Sequence, residues 1–177
     1  VFGKRAGESM LEYVSKTKST SISDSAADDL VNKINNLIEK EHTDEFSVGR
    51  IRNDLQESME ENAKIFRSEE TLSKQTEILE NLRERYENVT IFDKGKVFNT
   101  ELMEAIELDY LLDMSESTVA SALARKESRG AHSRQDFPDR DDGNFMKHSF
   151  AFKNGNSANL RYKDVELGKY EPMERKY

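Results

Sequence analysis

Cysteine is absent from all 177 residues, which removes disulfides, thiolate zinc sites and cysteine-held iron–sulfur clusters from what this chain can supply. Tryptophan is absent too, and the three histidines, at 42, 132 and 148, do not cluster in sequence. Proline is nearly missing: Pro138 and Pro172 both fall in the last quarter, and only five glycines precede Pro138. Chain breakers distributed this way read as helices first and a turn-rich tail afterwards. No apolar run approaches the roughly 20 residues of a membrane-crossing helix, and no signal peptide is visible. Basic charge is in deficit, 27 Lys and Arg against 35 Asp and Glu, for a net charge of −8. That balance argues against a general binder of nucleic acid or anionic membranes, whose phosphate contacts need a surplus of Lys and Arg.

The length suits one ordinary domain, or one domain with a tail. Hydrophobic and charged residues each make up 35%, so a core is attainable if the elements are long amphipathic helices. The first residue is Val1 rather than Met, and the chain is expected to be a piece of a longer polypeptide.

Apolar spacing places the helices. Phe2, Ala6, Met10, Tyr13 and Val14 mark one from Val1 to about Lys16. Gly3 and Gly7 share a face of it, which suggests close approach to a neighbour. A polar stretch from Ser15 to Ser25 reads as a loop. Ser25 is expected to cap a second helix, with Asp28 and Asp29 at its positive end. Ser47 is expected to cap a third, with Val48, Ile51, Leu55, Met59 and Phe66 inward. Ser68 is expected to cap a fourth, which buries Leu72, Leu79, Leu82, Tyr86 and Val89. Ile91–Phe98 reads as a turn around Gly95, with the option of a small hairpin. Thr100 is expected to cap the longest helix, over 101–128, which buries Leu102, Met103, Ile106, Tyr110 and Leu112. The second half of that helix turns to Ser, Thr and Ala, so backbones should pack closely on more than one side. Its end, RKESRG, places Arg125, Lys126 and Arg129 at the negative helix terminus and Gly130 at the left-handed position beyond it. Weak alternation over Asn144–Phe152 and Leu160–Val165 allows two short strands around an Asn154–Asn159 turn.

Chemistry-bearing motifs are scarce. The sequence has no G-x-x-x-x-G-K-[ST], no G-x-G-x-x-G, no G-x-S-x-G and no H-E-x-x-H, so the familiar phosphate-loop, dinucleotide, hydrolase and zincin patterns are missing. His132 and Asp136 share a spacing that a metal could use, but no third ligand accompanies them, and a hydrogen-bonding loop histidine is the plainer reading. The one dense constellation, RKESRGAHSRQDFPDRDD over 125–142, holds five basic and five acidic residues. It is neutral overall and reads as a paired network.

That run, followed by NFMKHSFAF, resembles the C-terminal region of the succinate dehydrogenase/fumarate reductase flavoprotein subunit. Three further segments agree in order: VFGKRAG at the start, GRIRNDLQESMEENAKIFRSEETL over 49–72, and the Glu-Arg-Lys-Tyr177 end. Residues 15–46 carry little family character. The family often has an aromatic or Gln where Ser133 stands, and a Trp-Leu pair near Phe145 and Met146.

The resemblance implies a complete subunit that moves a hydride between succinate and FAD and passes electrons to an iron–sulfur subunit and on to membrane quinone. The flavin and dicarboxylate sites of that family lie upstream of Val1, so no catalytic, cofactor-binding or metal-binding residue is carried over. The implied location is the cytoplasmic side of the inner membrane or the mitochondrial matrix side, held through partner subunits without direct membrane contact.

The expected fold is mainly α: a three-helix bundle with a preceding helix and an irregular C-terminal tail containing short β-strands. The expected division is 1–24, the end of a flavin-domain helix plus loop; 25–128, the helical bundle; and 129–177, the tail. Arg125, Glu127, Arg129, His132 and Arg134 are the expected interface residues toward the flavin domain or the iron–sulfur subunit, with Arg125 and Arg129 on one helical face, Glu127 elsewhere and Arg129 largely buried. L-aspartate oxidase, which resembles the E-S-R-G-x-H portion, is a rival within the superfamily. A stand-alone acidic helical adaptor is the rival outside it.

Overall fold

The computed structural model describes residues 2–155, 157–170 and 172–173; the Glu174–Tyr177 end lies outside the described residues. The elements in order are α1 (Phe2–Lys16), α2 (Asp28–Glu39), α3 (Val48–Asn62), β1 (Phe66–Arg67), α4 (Glu69–Glu87), α5 (Thr100–Ala124), β2 (Ser133–Arg134), α6 (Asp142–Phe145), β3 (Lys147–Asn154) and β4 (Ser157–Asp164). The chain separates into two compact units, Val1–Asn36 and Leu37–Tyr177, with the division falling inside α2.

In the first unit α1 buries none of its residues, and Phe2, Met10, Leu11, Tyr13 and Val14 are exposed. Among the described residues of this unit no atom lies within 4 Å of a side chain built at Gly3 or Gly7, so the close approach expected there is not made within it. Ser23, not Ser25, is the capping residue before α2. Its hydroxyl accepts from the Ser25 amide at 3.3 Å and opens a 3-10 turn over Asp24–Ala27 that leads into the helix.

The second unit packs three helices, α3, α4 and α5, each with apolar residues to hide. Ile51 and Leu55 of α3, Leu72, Leu79 and Leu82 of α4, and Ala105, Leu108, Leu112, Val119 and Ala122 of α5 form one buried cluster. Their spacings of three, four and seven residues keep them on the inward faces. Polar groups that enter this core are bonded. The Asn62 amide donates to the Ser58 carbonyl and to Gln75 Oε1, and the Gln75 amide donates to Ser58 Oγ at 3.0 Å. The Tyr86 hydroxyl donates to the Ala105 carbonyl at 3.0 Å. No buried side-chain polar atom lacks a partner among the described residues, as a low-dielectric core requires.

Local capping chemistry sets most helix starts. Ser68 and Thr71 form a reciprocal capping box for α4. Asn99 caps α5 through Oδ1, which accepts from the Leu102 amide at 2.8 Å, so Thr100 is the first helical residue and not the cap. Asn99 wins because its amide also donates to the Asp93 and Gly95 carbonyls, closing the preceding loop. That loop forms no hairpin; Glu101 Oε2 instead accepts from the Phe92 and Asp93 amides at 2.8 Å. Phe66, Met103 and Tyr110 are exposed rather than inward. Phe66 falls beyond the end of α3, in β1, and the other two lie off the stripe of Ala105, Leu108 and Leu112.

Strand β1 pairs parallel with β2, Phe66 opposite Ser133 and Arg67 opposite Arg134. Strands β3 and β4 form an antiparallel hairpin with Lys147 opposite Asp164 and Asn154 opposite Ser157. The first strand starts at Lys147 because the preceding residues are taken up by α6. The turn is tighter than Asn154–Asn159, with Gly155 at φ +59°, the left-handed geometry that short hairpin turns demand.

Leu108 is fully buried and Met103 is 56% exposed. Leu108→Ala is expected to cost about 2–5 kcal/mol through lost burial and the cavity left behind. Met103→Ala is expected to stay within about 0.5 kcal/mol. Urea unfolding of the two variants measures the contrast; equal losses would show that α5 is packed in a different rotation.

Candidate functional site

The dense run of charge begins where α5 ends. The helix stops at Ala124, four residues before the expected end, and Arg125 leaves it with φ −88° and ψ 97°. The physical reason is nine residues further on. Arg134, fully buried, donates through Nη1 to the carbonyls of Ala122 and Leu123, each at 3.0 Å. These are carbonyls that a continuing helix would have bonded itself. Nε and Nη2 of Arg134 take Asp136 in a two-pronged pair at 2.8 Å, and Nη2 also reaches Glu69 Oε2 at 2.9 Å. All five N–H groups of that guanidinium are thereby used. Asp136 also accepts from the Glu69 amide at 2.8 Å, so its charge sits at the positive start of α4. The bond from Arg134 holds the Asp136 carboxyl far below the usual carboxylate range, and the same pair raises the Arg134 pKa against the opposing effect of burial.

Glu127 is the second centre, with a fully buried side chain. Burial pushes its pKa up, but bonds from Arg129, the Asp141 amide and Arg125 outweigh that and leave it below the ordinary value. Its Oε1 accepts from Arg125 Nη1 at 2.6 Å and Arg129 Nε at 2.8 Å. Its Oε2 accepts from Arg129 Nη2 at 3.0 Å and the Asp141 amide at 2.7 Å. The expected helical face of Arg125 and Arg129 therefore does not exist. Both residues lie past the helix, and Glu127 stands between them rather than pointing elsewhere.

Arg129 is mostly covered and bonded within the chain as expected, with 29% of its side chain exposed, and it also pairs with Asp142 at 2.6 Å. Its pKa is raised, chiefly by the bond to Glu127. Gly130 does adopt a left-handed φ of +61°, but in a tight turn and not at a helix end. The Arg129 amide donates to the His132 carbonyl at 2.9 Å and the His132 amide donates back at 3.1 Å.

His132 is placed by that turn. Its Nδ1 lies 3.0 Å from Arg67 Nη1 and its Nε2 lies 3.2 Å from the Arg125 carbonyl. A guanidinium can only donate, so Nδ1 accepts, and the proton sits on Nε2. Burial is the main cause of a lowered His132 pKa, and the cations Arg67, Arg134 and Arg125 add to it. Among the described residues no group of three or more His, Asp or Glu side chains is arranged to hold a metal ion.

All five expected residues thus meet in one place. They join the end of α5 to the start of α4 and to the first residues of the tail, where Arg125 Nη1 and Nη2 donate to the Phe145 and Lys147 carbonyls. The constellation that composition did not suggest centres on Arg83. Its guanidinium, nearly buried, donates to Asp109 at 2.6 Å, Asp113 at 2.6 Å and Glu116 at 2.8 Å. Burial opposes the charge on Arg83, and the three carboxylates together raise its pKa. The available signal was the four- and three-residue spacing of those acids, which places them on one face of α5.

Residues 52–177 match a family model described as Fumarate reductase flavoprotein C-term. The chain is 37% identical, over its whole length, to the fumarate reductase flavoprotein subunit of Haemophilus influenzae, and covers 30% of that protein. It is 34% identical to the succinate dehydrogenase flavoprotein subunit of Rickettsia bellii over 94% of the chain and 28% of that protein. Among solved structures, a mutant of E. coli quinol fumarate reductase superposes with a TM-score of 0.87 at 34% identity, covering 98% of this chain and 30% of that one. The chain spans under a third of the length of these relatives.

Two outcomes test the geometry. Arg134→Lys keeps the charge but not the planar fork, and is expected to cost about 3–5 kcal/mol in urea unfolding, the range for breaking a buried ionic cluster. Arg140→Lys, paired at the surface with Asp142, should cost under about 1 kcal/mol. The second outcome concerns pH. A histidine whose folded pKa is depressed takes up more protons when unfolded, so its contribution is complete above the ordinary value near 6.5 and is lost as pH falls below it. The urea midpoint should drop as pH goes from about 7 to about 5, and His132→Asn should flatten that drop; an unchanged slope in the variant would contradict a buried neutral His132. The lowered pKa values of Glu127, Asp136 and Asp142 add a further loss below about pH 4.5, where carboxylates of ordinary pKa begin to protonate.

Proposed function

Because this chain belongs to the family of fumarate reductase flavoprotein C-terminal regions, we propose that it is the structural and docking portion of a flavoenzyme subunit. When complete, that subunit interconverts succinate and fumarate with FAD. The observation that carries this reading is the saturation of the charged cluster. Each N–H of Arg134 and both oxygens of Glu127 are already committed within the chain. Groups bonded in this way hold a fold together and have no capacity left to bind a substrate or move its proton.

The residues of this chain do not fit a flavin site of their own. The left-handed glycines, Gly130 and Gly155, sit in a tight turn and a hairpin turn, not between a strand and a helix where a dinucleotide phosphate is cradled. FAD is therefore assigned to the part of the subunit outside this chain, and no chemical step is assigned to residues here.

The relatives are themselves subunits, which supports membership of a larger assembly. In our reading the partners are the N-terminal flavin domain of the same subunit and an iron–sulfur subunit that passes electrons toward quinone. No helix of the described residues is long and apolar enough to cross a membrane. The proposed attachment, on the cytoplasmic or matrix side of the membrane, is through other subunits. The division 1–24, 25–128 and 129–177 is retained as the proposed functional layout, with Arg125, Glu127, Arg129, His132 and Arg134 joining its last two parts.

The 177-residue chain alone is expected to be colourless and inactive. Absorbance between 350 and 500 nm (roughly the flavin bands) and turnover of succinate with a dye acceptor check this; stoichiometric flavin or measurable turnover would refute it. In the complete subunit, Arg129→Lys should lower the yield of assembled protein while turnover per bound flavin stays unchanged. Normal assembly with lost turnover would move Arg129 into the active site.

A further inference from the structure

A cavity of about 530 Å³ opens between α5, the β1–β2 pair and the start of β3, lined among others by Arg67, Ser121, Arg125, His132, Lys147 and His148. Its volume lies in the range of small-molecule sites. No Asp or Glu contributes to its walls, in a chain that carries 35 of them and a net charge of −8. The remaining lining is largely hydroxyl-bearing, from the small residues of α5 and from Ser149.

The charges on these walls do not cancel. Arg125 is neutralised by Glu127. His132 accepts from Arg67, which keeps its ring neutral. Arg67 spends Nε on the Ala63 and Lys64 carbonyls and Nη1 on His132, and among the described residues no carboxylate pairs with it. Lys147 lies 4.3 Å over the Tyr162 ring and 5.2 Å from the Phe145 ring, also with no carboxylate partner among the described residues. Two cations from different elements, both partly withdrawn from water, thus face one cavity without a salt-bridged carboxylate among the described residues. A partly buried, uncompensated charge is costly, and burial indeed holds the Arg67 pKa below its ordinary value. Of the hydroxyls beside them, those of Ser117 and Thr118 already donate to the Asp113 and Met114 carbonyls, while Ser149 Oγ accepts from Arg125, so the protons of Ser121 and Ser149 are the ones that can donate to oxygen.

We propose that this cavity binds an oxyanion carrying two negative charges, with Arg67 and Lys147 as its counter-ions and the hydroxyls of Ser121 and Ser149 completing its hydrogen bonds. The carboxylate or phosphate oxygens it takes come either from a free small anion or from acidic side chains of a covering polypeptide. The second source is available because the relatives are about three times as long as this chain. The cavity shares Arg125 and His132 with the charged cluster described above, but its proposed counter-ions, Arg67 and Lys147, are not bonded to Glu127, and the site does not depend on the reaction proposed for the complete subunit.

The test is titration of the 177-residue chain with malonate and with inorganic phosphate, against sodium chloride at equal ionic strength, read by NMR at the ring protons of His132 and His148. Saturable shifts with malonate or phosphate, absent with chloride, are expected. Binding should weaken at least tenfold in Lys147→Gln and in Arg67→Gln. The Lys147 ammonium makes ring contacts but no hydrogen bond among the described residues, so Lys147→Gln is expected to keep the native fold, checked by its unchanged amide spectrum, even where Arg67→Gln disturbs β1. Shifts that only follow ionic strength, or that both variants leave unchanged, overturn the proposal. Repeating the titration on the complete subunit separates the sources. Loss of the response there assigns the oxyanion to a covering acidic segment, and retention assigns it to a free anion.

Discussion

The guanidinium of Arg134 decides where the longest helix stops and where the tail begins. It satisfies the last carbonyls of α5 from outside, so the chain can turn away at Arg125 without leaving them bare in the interior. The same group pulls Glu69 and Asp136 together at the start of α4. One end each of two helices and the register of the β1–β2 pair thus rest on a single buried cation. Its five donors and planar shape explain why the position is arginine; an ammonium group would meet only part of that acceptor set.

An acidic chain of this kind places its arginines at junctions. Arg83 gathers three carboxylates of α5 against α4, and Glu127 is enclosed by Arg125 and Arg129 where the tail departs. Such clusters add little to net stability compared with an apolar core of the same shape. Their geometry is directional, however, and an aliphatic contact is not. The leucine stripes of α3, α4 and α5 tolerate some sliding and rotation. The guanidinium pairs fix one rotation and one depth for α5.

The three-helix bundle was legible because its apolar residues repeat at helical spacing, and Leu72, Leu79, Leu82, Tyr86 and Leu112 are buried as that spacing demands. The meeting of Arg125, Glu127, Arg129, His132 and Arg134 was legible as a charge-balanced run. Its internal wiring was not, because the residue that ends α5 lies nine positions beyond Arg125 and acts through space. For the same reason local rules misplaced Gly130: RKESRG satisfies every requirement of a helix end, yet a distant guanidinium takes the carbonyls first. Asn99 displaced Thr100 as the cap because it serves two partners, the helix in front and the loop behind. The resemblance over the 125–142 run anticipated the family with few ambiguities, whereas helical periodicity alone would have fitted many unrelated bundles.

The β3–β4 hairpin is attached to the bundle by polar bonds at two levels. Near its base Arg125 donates to the Lys147 carbonyl and the Ser149 hydroxyl; nearer its tip the Lys153 ammonium reaches Asp113 at 2.6 Å. Two anchors separated along a stiff ribbon remove its freedom to swing, as two screws hold a bracket that one would leave to pivot. The lower anchor is recessed, with Arg125 only 16% exposed. The upper one is half-exposed, with Lys153 at 54%, and like other exposed ion pairs it weakens as salt is added. Raising the salt concentration should therefore loosen the tip of the ribbon before its base, on the nanosecond-to-microsecond scale of loop motion.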